Sequence, residues 1–167
     1  TSLVERFCAP LCDALLSATS AQGQSQNVLD WIEQANLFIV PLDDRRDWYR
    51  YHHLFRGLLR RRLRAQIGEA HVMALHHRAG TWFAERGMVE EAVYHLLLVG
   101  DLDGAAQLVE KNVHPLLNRE EWSRLQRVLD LLPDALVHAR PALLVARAWV
   151  LQLANQSADI PPLLDAA

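Results

Sequence analysis

The spacing of hydrophobic positions changes twice within the first fifty residues. Apolar side chains three and four apart predict a helix over residues 2–16 and, after a polar loop, a short second helix capped by Asn27. Apolar and aromatic runs at residues 37–42 and 48–51 flank a charged turn and predict a β-hairpin. Pro41 cannot donate a backbone hydrogen bond, so the hairpin should lie at a sheet edge. The inward-facing positions of the second helix are predicted to be Val28, Trp31, Ile32 and Ala35.

From residue 53 onward the pattern is helical throughout. The predicted helices are 53–66, 70–86, 89–98, 102–112, 119–131, 141–154 and one that begins near Pro161. They are separated at Gly87, Gly100, Pro115 and Pro133. Short connections between helices of this length favour antiparallel helical hairpins.

Small residues within these helices indicate close helix packing. Ala79, Gly80, Phe83, Ala92 and Leu96 match the small, aromatic and large positions of the 34-residue tetratricopeptide repeat. Helix, helix, hairpin is the element order of a winged helix. We therefore predict a mainly α fold: the end of a winged-helix domain with a small β-hairpin and connecting helix over residues 1–66, then the antiparallel helical hairpins of a tetratricopeptide-like superhelix over 67–167.

Composition places the chain among ordinary globular proteins. Of its 167 residues, 51% are apolar and 22% are charged. No stretch approaches the roughly 18 to 20 consecutive apolar residues of a membrane helix, and the first residues lack the order of a signal peptide. We therefore expect a cytoplasmic protein that does not insert into a membrane.

The net charge of −3 conceals a basic segment, because residues 43–64 contain eight arginines and three aspartates. We interpret the arginines after residue 59 as a solvated helix face, since the aromatic and glycine interleaving of nucleic-acid platforms is absent. Arg62 instead falls inside the apolar stripe of its helix, where it should extend to solvent or pair with a carboxylate of a neighbouring element or domain. Arg62, and Arg45 and Arg46 in the turn, are our candidates for interdomain contacts.

Residues able to carry chemistry are given structural roles. Cys8 and Cys12 are expected to face inward as small hydrophobic side chains. No two of the eight histidines are three or four apart, so no metal site on one helical face is predicted. His76 should be a hydrogen-bonded core residue, and the five tryptophans should anchor the core. No serine, histidine and acid motif is recognisable, so we expect no catalytic activity.

The chain resembles a known family over most of its length. The segment from Ala35 to Leu63, ANLFIVPLDDRRDWYRYHHLFRGLLRRRL, is similar to the middle of MalT-like, LuxR-type regulators. That resemblance implies a preceding ATPase domain of the signal-transduction class with numerous domains, which binds ATP or ADP. It also implies a following repeat domain that senses an inducer and a C-terminal helix-turn-helix that binds DNA. The sequence given contains neither a phosphate loop nor such a DNA-binding segment, so no cofactor and no direct nucleic-acid binding are expected in it.

The resemblance also implies one site. Related ATPase regulators end the winged helix in a Met-His-Asp motif whose histidine contacts the β-phosphate of ADP. Tyr51, His52 and His53 occupy the similar position here, which implies that His52 senses the nucleotide. Because both flanking residues differ from the motif, His53 is the alternative, and local structural roles for both histidines remain open.

Two interpretations follow for the segment as a whole. In the first it couples a nucleotide-binding domain to a helical repeat sensor inside a larger regulator. In the second it is a stand-alone tetratricopeptide-like module that binds a peptide or protein. The first implies self-association through an uncovered last helix.

Overall fold

The structure is a computed structural model that describes residues 1–16, 24–35 and 37–153. Its mainly helical composition and single two-stranded hairpin confirm the predicted fold class. The elements are α1 (Ala9–Leu16), α2 (Ser25–Gln34), β1 (Ile39–Pro41), β2 (Tyr49–Tyr51), α3 (His53–Glu85), α4 (Val89–Leu98), α5 (Leu102–Asn118), α6 (Trp122–Leu131), α7 (Asp134–His138) and α8 (Pro141–Leu153). The chain divides into two compact units, Thr1–Trp82 and Phe83–Ala167. The domain boundary expected after residue 66 stays a prediction.

The first unit is organised around the hairpin. Strands β1 and β2 are antiparallel, with Ile39 opposite Tyr51 and Pro41 opposite Tyr49. Phe7 extends the pairing, because its N–H donates to the carbonyl of Tyr49 at 2.9 Å and its carbonyl accepts from the N–H of Tyr49 at 2.8 Å. Asp43 closes the turn by accepting the N–H groups of residues 47 and 48. Pro41 therefore lies in the outer strand, where its missing N–H costs no ladder bond.

The bridge at Phe7 explains why the first helix is shorter than predicted. A helix over residues 2–16 would engage the N–H and carbonyl of Phe7 within the helix, but both pair with Tyr49 instead. The helix consequently begins at Ala9. Cys8 and Cys12 are buried, as the periodicity indicated.

The inward face predicted for the second helix is wrong. Leu29 is buried, whereas Val28 and Trp31 are 51% and 63% exposed. The Tyr49 hydroxyl donates to Glu33 at 3.2 Å, which turns the face of residues 29 and 33 toward the hairpin. Since residue 31 lies about 200° around the helix from residue 29, Trp31 must then point outward.

Helix α3 contains a break that the sequence located correctly. Gly68 has φ 74° and ψ 165°, so the element consists of two helical pieces joined at this glycine. Arg64 pairs with Glu69 across the break at 3.9 Å, and both Arg60 and Arg64 lie close enough to perturb His76. Residues 64 and 76 would be about 18 Å apart in a straight helix. The break therefore changes the direction of the helix and places Arg60 and Arg64 of the first piece nearer to His76 of the second than a straight helix would.

The second unit has one continuous hydrophobic core. Helices α4 and α5 pack together, and α6 and α8 pack against α5 and each other. Phe83 is buried and stacks on His95 with ring centroids 5.6 Å apart. The side chain of Asp101 caps α5 by accepting the N–H of Gly104 at 2.9 Å. The most deeply buried members of this core include Val93, Ala105, Ala106, Val109, Leu125, Val128, Val137 and Leu143.

Three predicted details of the second unit are corrected. Helix α5 was expected to end near residue 112, but it continues through Pro115 to Asn118. Burial of Val113 and Leu116 offsets the roughly 3 kcal/mol that an internal proline costs. Helix α6 begins at Trp122 rather than at residue 119, because Glu120 has a positive φ of 59°. The short helix α7 was not predicted.

Tryptophan burial also differs from expectation. Trp82 is buried and Trp48 is half-buried, but Trp31, Trp122 and Trp149 are exposed. Trp149 is 55% exposed and shares the outer face of α8 with Val145 and Leu153. The prediction of five core anchors is thus wrong for three of them, because helical periodicity does not identify which apolar face is covered.

Arginine contacts in the second unit recur at a constant sequence separation. Arg124 donates to the carbonyl of Gly87, Arg127 to Glu90 and Arg140 to Asp103, each pair being 37 residues apart. Arg140 also contacts Glu110 at 3.2 Å. These bonds join corresponding points of successive helical hairpins, which is the nearest-neighbour contact pattern of a repeat protein.

The core assignment predicts unequal costs for two leucines on α6. Leu125 is fully buried and Leu131 is 38% exposed. We expect Leu125→Ala to lower the free energy of unfolding by about 2–5 kcal/mol, because it leaves a cavity. Leu131→Ala should cost less than about 1 kcal/mol. Urea unfolding followed by circular dichroism measures both, and equal costs would contradict the placement of α6.

Candidate functional site

The end of strand β2 presents two adjacent histidines. The N–H of His52 donates to the carbonyl of Phe38 at 2.8 Å, as the last rung of the hairpin. The carbonyl of His52 accepts the N–H of Arg56 at 2.9 Å, which starts α3. The backbone of His52 is therefore held on both sides, in a strand-to-helix corner.

The imidazoles of both histidines are available to a partner. His52 and His53 are exposed, and their ring centroids are 4.4 Å apart. Within the described residues, neither imidazole forms a hydrogen bond or ion pair. Local bonding is thus confined to the backbone of His52, and the choice of His52 over His53 as the nucleotide-sensing residue stays a prediction.

Exposed apolar side chains lie near the histidines, along the chain and across the hairpin. Phe38, Leu54 and Leu58 are 57%, 71% and 53% exposed, and we call these three residues with His52 and His53 the corner surface. Phe38 has a φ of 60°, which is uncommon for a non-glycine residue, and its ring contacts Phe55 at 4.9 Å between centroids. Clustered apolar exposure of this kind is typical of a surface that contacts another protein part.

The sequence did not single out these apolar residues. Leu58 lies on the exposed side of its helix. The segment from Phe38 to Leu58 contains more apolar residues than one buried face needs. This excess is the signal that could have indicated an exposed apolar surface.

The three candidate interdomain arginines have different surroundings. Arg46, with a φ of 57°, pairs with Glu33 of the same unit at 3.3 Å. Arg45 is exposed in the hairpin turn. Arg62 is exposed on α3, where it lines a cleft with Tyr51, Leu59 and Leu63. Interdomain contact by these arginines stays a prediction.

Two buried titratable groups lie away from the corner surface. Burial lowers the pKa of His76, and the nearby guanidinium groups of Arg60 and Arg64 lower it further, against an opposing effect of Glu69. Burial raises the pKa of the Cys12 thiol to about 12. His76 is 3% exposed, as expected for a core histidine, and Cys12 is an unreactive thiol near neutral pH.

The described residues provide neither a metal-binding cluster nor a membrane-spanning helix. They contain no cluster of three or more histidine, cysteine, aspartate or glutamate side chains that would hold a metal ion. They also include no helix that combines the length and the apolar character needed to cross a bilayer.

The order α1, α2, hairpin and α3 is the element order of a winged-helix unit. Residues 1–71 match the family described as the MalT winged helix domain. This match lies in the N-terminal part of the chain and supports the resemblance inferred from the residues around the hairpin.

Relatives extend the similarity beyond the winged helix. The chain is 36% identical over 148 residues to the serine/threonine-protein kinase PknK of two Mycobacterium tuberculosis strains, CDC 1551 / Oshkosh and H37Rv, and of Mycobacterium bovis. The alignment covers 89% of this chain and 13% of each relative. This chain thus corresponds to a small segment of much longer proteins.

The burial of His76 predicts a pH dependence of stability. Because its folded-state pKa lies below the ordinary value of 6.5, the unfolded chain binds a proton at higher pH than the folded one. The free energy of unfolding should therefore fall as pH decreases below about 6.5 and level off below the folded-state pKa. Urea midpoints at pH 7.5 and pH 5 measure the change.

Two variants isolate this contribution. His76→Gln should make the stability depend less steeply on pH, whereas His77→Gln, which changes an exposed neighbour, should retain the wild-type slope. Identical slopes for His76→Gln and the wild type would show that His76 does not contribute.

Proposed function

We propose that this segment couples a nucleotide-binding domain to a helical repeat sensor inside a MalT-like, LuxR-type transcription regulator. The observation that carries the proposal is the corner surface: two exposed imidazoles on a fixed backbone, near exposed Phe38, Leu54 and Leu58. Such a surface suits contact with a neighbouring domain through apolar area and with a phosphate through an imidazole. The family match over residues 1–71 supports the same assignment.

The proposed site works through one charge-assisted hydrogen bond. An imidazole N–H of His52 donates to a β-phosphate oxygen of ADP held by the ATPase domain, and this bond strengthens when the imidazole is protonated. ATP or ADP is bound by that domain and not by the segment described here. Loss of the bond on nucleotide exchange would release the winged helix from the ATPase domain.

Helix α3 is the proposed path of coupling. Helix α3 begins at the residue after His52. The N–H of Arg56, in its first turn, donates a hydrogen bond to the carbonyl of His52 and so links the helix to the corner. A displacement of His52 therefore displaces the start of α3. In the proposal, the repeats respond to an inducer, a separate helix-turn-helix binds DNA, and the whole regulator is cytoplasmic.

The proposal assigns no catalysis to the segment. The kinase named among the relatives is a protein of which this chain would span 13%. The sequence given contains no glycine-rich phosphate loop, so a phosphoryl-transfer role has no candidate residues in it.

The first test of the proposal measures ADP retention. In a protein that carries this segment together with the nucleotide-binding domain, we expect His52→Ala to weaken ADP binding about tenfold, through loss of one hydrogen bond to a charged group. Titration calorimetry with ADP gives the dissociation constant. His53→Ala is the matched control, because it removes the neighbouring exposed imidazole.

The outcomes of this titration separate the alternatives. Weaker binding in His53→Ala alone would transfer the role to His53. Unchanged binding in both variants would make the two histidines structural and would contradict nucleotide sensing by this segment.

A second test concerns self-association of the segment on its own. Val145, Trp149 and Leu153 lie four residues apart and form an exposed apolar stripe on α8. We expect the isolated segment to self-associate through this stripe. Trp149→Ser should reduce the association measured by sedimentation velocity, whereas Trp31→Ser, which changes an exposed tryptophan of the other unit, should not. A strictly monomeric wild type over a broad concentration range would contradict the expectation.

A further inference from the structure

Phe38 has a backbone conformation that is unusual for a phenylalanine. Its φ of 60° lies in the left-handed region, which residues with a bulky side chain rarely adopt. Among the other non-glycine residues with this conformation in the described part of the chain, Arg46 lies in the hairpin turn and Glu120 lies between α5 and α6. Phe38 instead directly precedes strand β1. A tight turn therefore does not explain its conformation.

Burial does not explain a phenylalanine at this position either. The Phe38 side chain is 57% exposed, so most of its surface gains nothing from the core. A glycine would adopt the same backbone conformation without the steric cost. Strained conformations that persist in this way are found mainly at functional sites. The stability of the core alone thus does not account for Phe38.

Phe38 contacts both sides of the corner between β2 and α3. On the strand side, its carbonyl accepts the N–H of His52 at 2.8 Å. On the helix side, its ring lies against Phe55 in the first turn of α3, with 4.9 Å between the ring centroids. In a regular strand, residues 38 and 40 would both point away from the face of Ile39. The left-handed backbone departs from this alternation, and the ring of Phe38 meets Phe55.

Phe55 is connected to the interior of the first unit. Its ring centroid lies 6.0 Å from that of Tyr51, which in turn lies 4.6 Å from that of the buried Phe7. Phe7 is the residue whose N–H and carbonyl both pair with Tyr49. A row of aromatic rings therefore runs from this backbone bridge to the corner surface, and Phe38 is its outer end.

We propose that Phe38 is a positioning residue of the candidate site and acts through His52. It holds the strand-to-helix corner from both sides, so that the backbone of His52 keeps the position from which its imidazole reaches a phosphate oxygen. A corner that is already fixed has less conformational freedom to lose when the phosphate binds, which favours binding. This inference rests on the proposed function, because it assigns Phe38 a part in the nucleotide contact of His52.

The first measurement is amide hydrogen exchange of the chain, followed by NMR. Phe38→Leu keeps an apolar side chain but loses the ring contact with Phe55. We expect the His52 amide of this variant to exchange about threefold to tenfold faster than in the wild type, because the corner opens more often. Phe38→Tyr keeps the ring and should restore the wild-type rate.

Two controls separate the corner from the rest of the unit. Leu54→Ala removes another exposed side chain of the corner surface but leaves the carbonyl and ring contacts of Phe38, so the His52 amide should keep its wild-type rate. The Tyr49 amide, which donates to Phe7, reports the stability of the unit and should not change in any of these variants.

The second measurement is a double-mutant cycle of ADP affinity, in a protein that carries this chain together with the nucleotide-binding domain. Phe38→Leu should weaken ADP binding about threefold to tenfold when His52 is present, and less than about twofold in the His52→Ala background. The reason is that a positioning residue acts only through the residue that it positions. Titration calorimetry gives the four dissociation constants.

Three results would overturn the proposal. The first is an unchanged exchange rate of the His52 amide in Phe38→Leu. The second is equally faster exchange of the His52 and Tyr49 amides, since a general loss of stability would then explain the effect. The third is equal weakening of ADP binding with and without His52, which would make Phe38 a direct contact of the neighbouring domain.

Failure of the proposed function gives a different result. Unchanged ADP affinity in His52→Ala would contradict nucleotide sensing by His52, and with it any part of Phe38 in nucleotide binding. Faster exchange of the His52 amide in Phe38→Leu, with the wild-type rate in Phe38→Tyr, would still support Phe38 as the residue that holds the corner.

Discussion

The backbone bridge between Phe7 and Tyr49 is the constraint on which the first unit depends. It ends the N-terminal turns, delays α1 to Ala9 and adds a third segment to the hairpin. Tyr49 is fully buried, and its hydroxyl fixes the rotation of α2 through Glu33. Strand β2 ends at Tyr51 and α3 begins at His53, so His52 lies at the corner between them. The candidate site is thus positioned by backbone hydrogen bonds, and its imidazoles remain outside the structural network.

The two units are stabilised by different means. In the first, aromatic side chains and strand pairing organise a small core. In the second, buried aliphatic side chains form one core, and three arginine contacts, each between residues 37 positions apart, join successive hairpins at the surface. The exposed ion pairs among these contacts each contribute little to stability, because both charges remain solvated.

Local signals in the sequence predicted much of this architecture. Pro41 and the charged turn located the hairpin, and the break at Gly68 fell between two predicted helices. Long-range contacts decided what local signals could not. Trp31 points outward because Tyr49 bonds Glu33, and Pro115 stays inside α5 because Val113 and Leu116 are buried. For the candidate site, the resemblance supplied His52 and His53, whereas the exposed apolar residues near them required the structure.

We propose that a nucleotide-binding domain covers the corner surface and that its ADP contacts His52. An experimental structure of the ADP-bound protein containing both parts would show this contact. We expect an imidazole nitrogen of His52 about 3 Å from a β-phosphate oxygen, with Phe38, Leu54 and Leu58 buried against that domain. A His52 side chain in solvent, with these apolar residues still exposed, would contradict it.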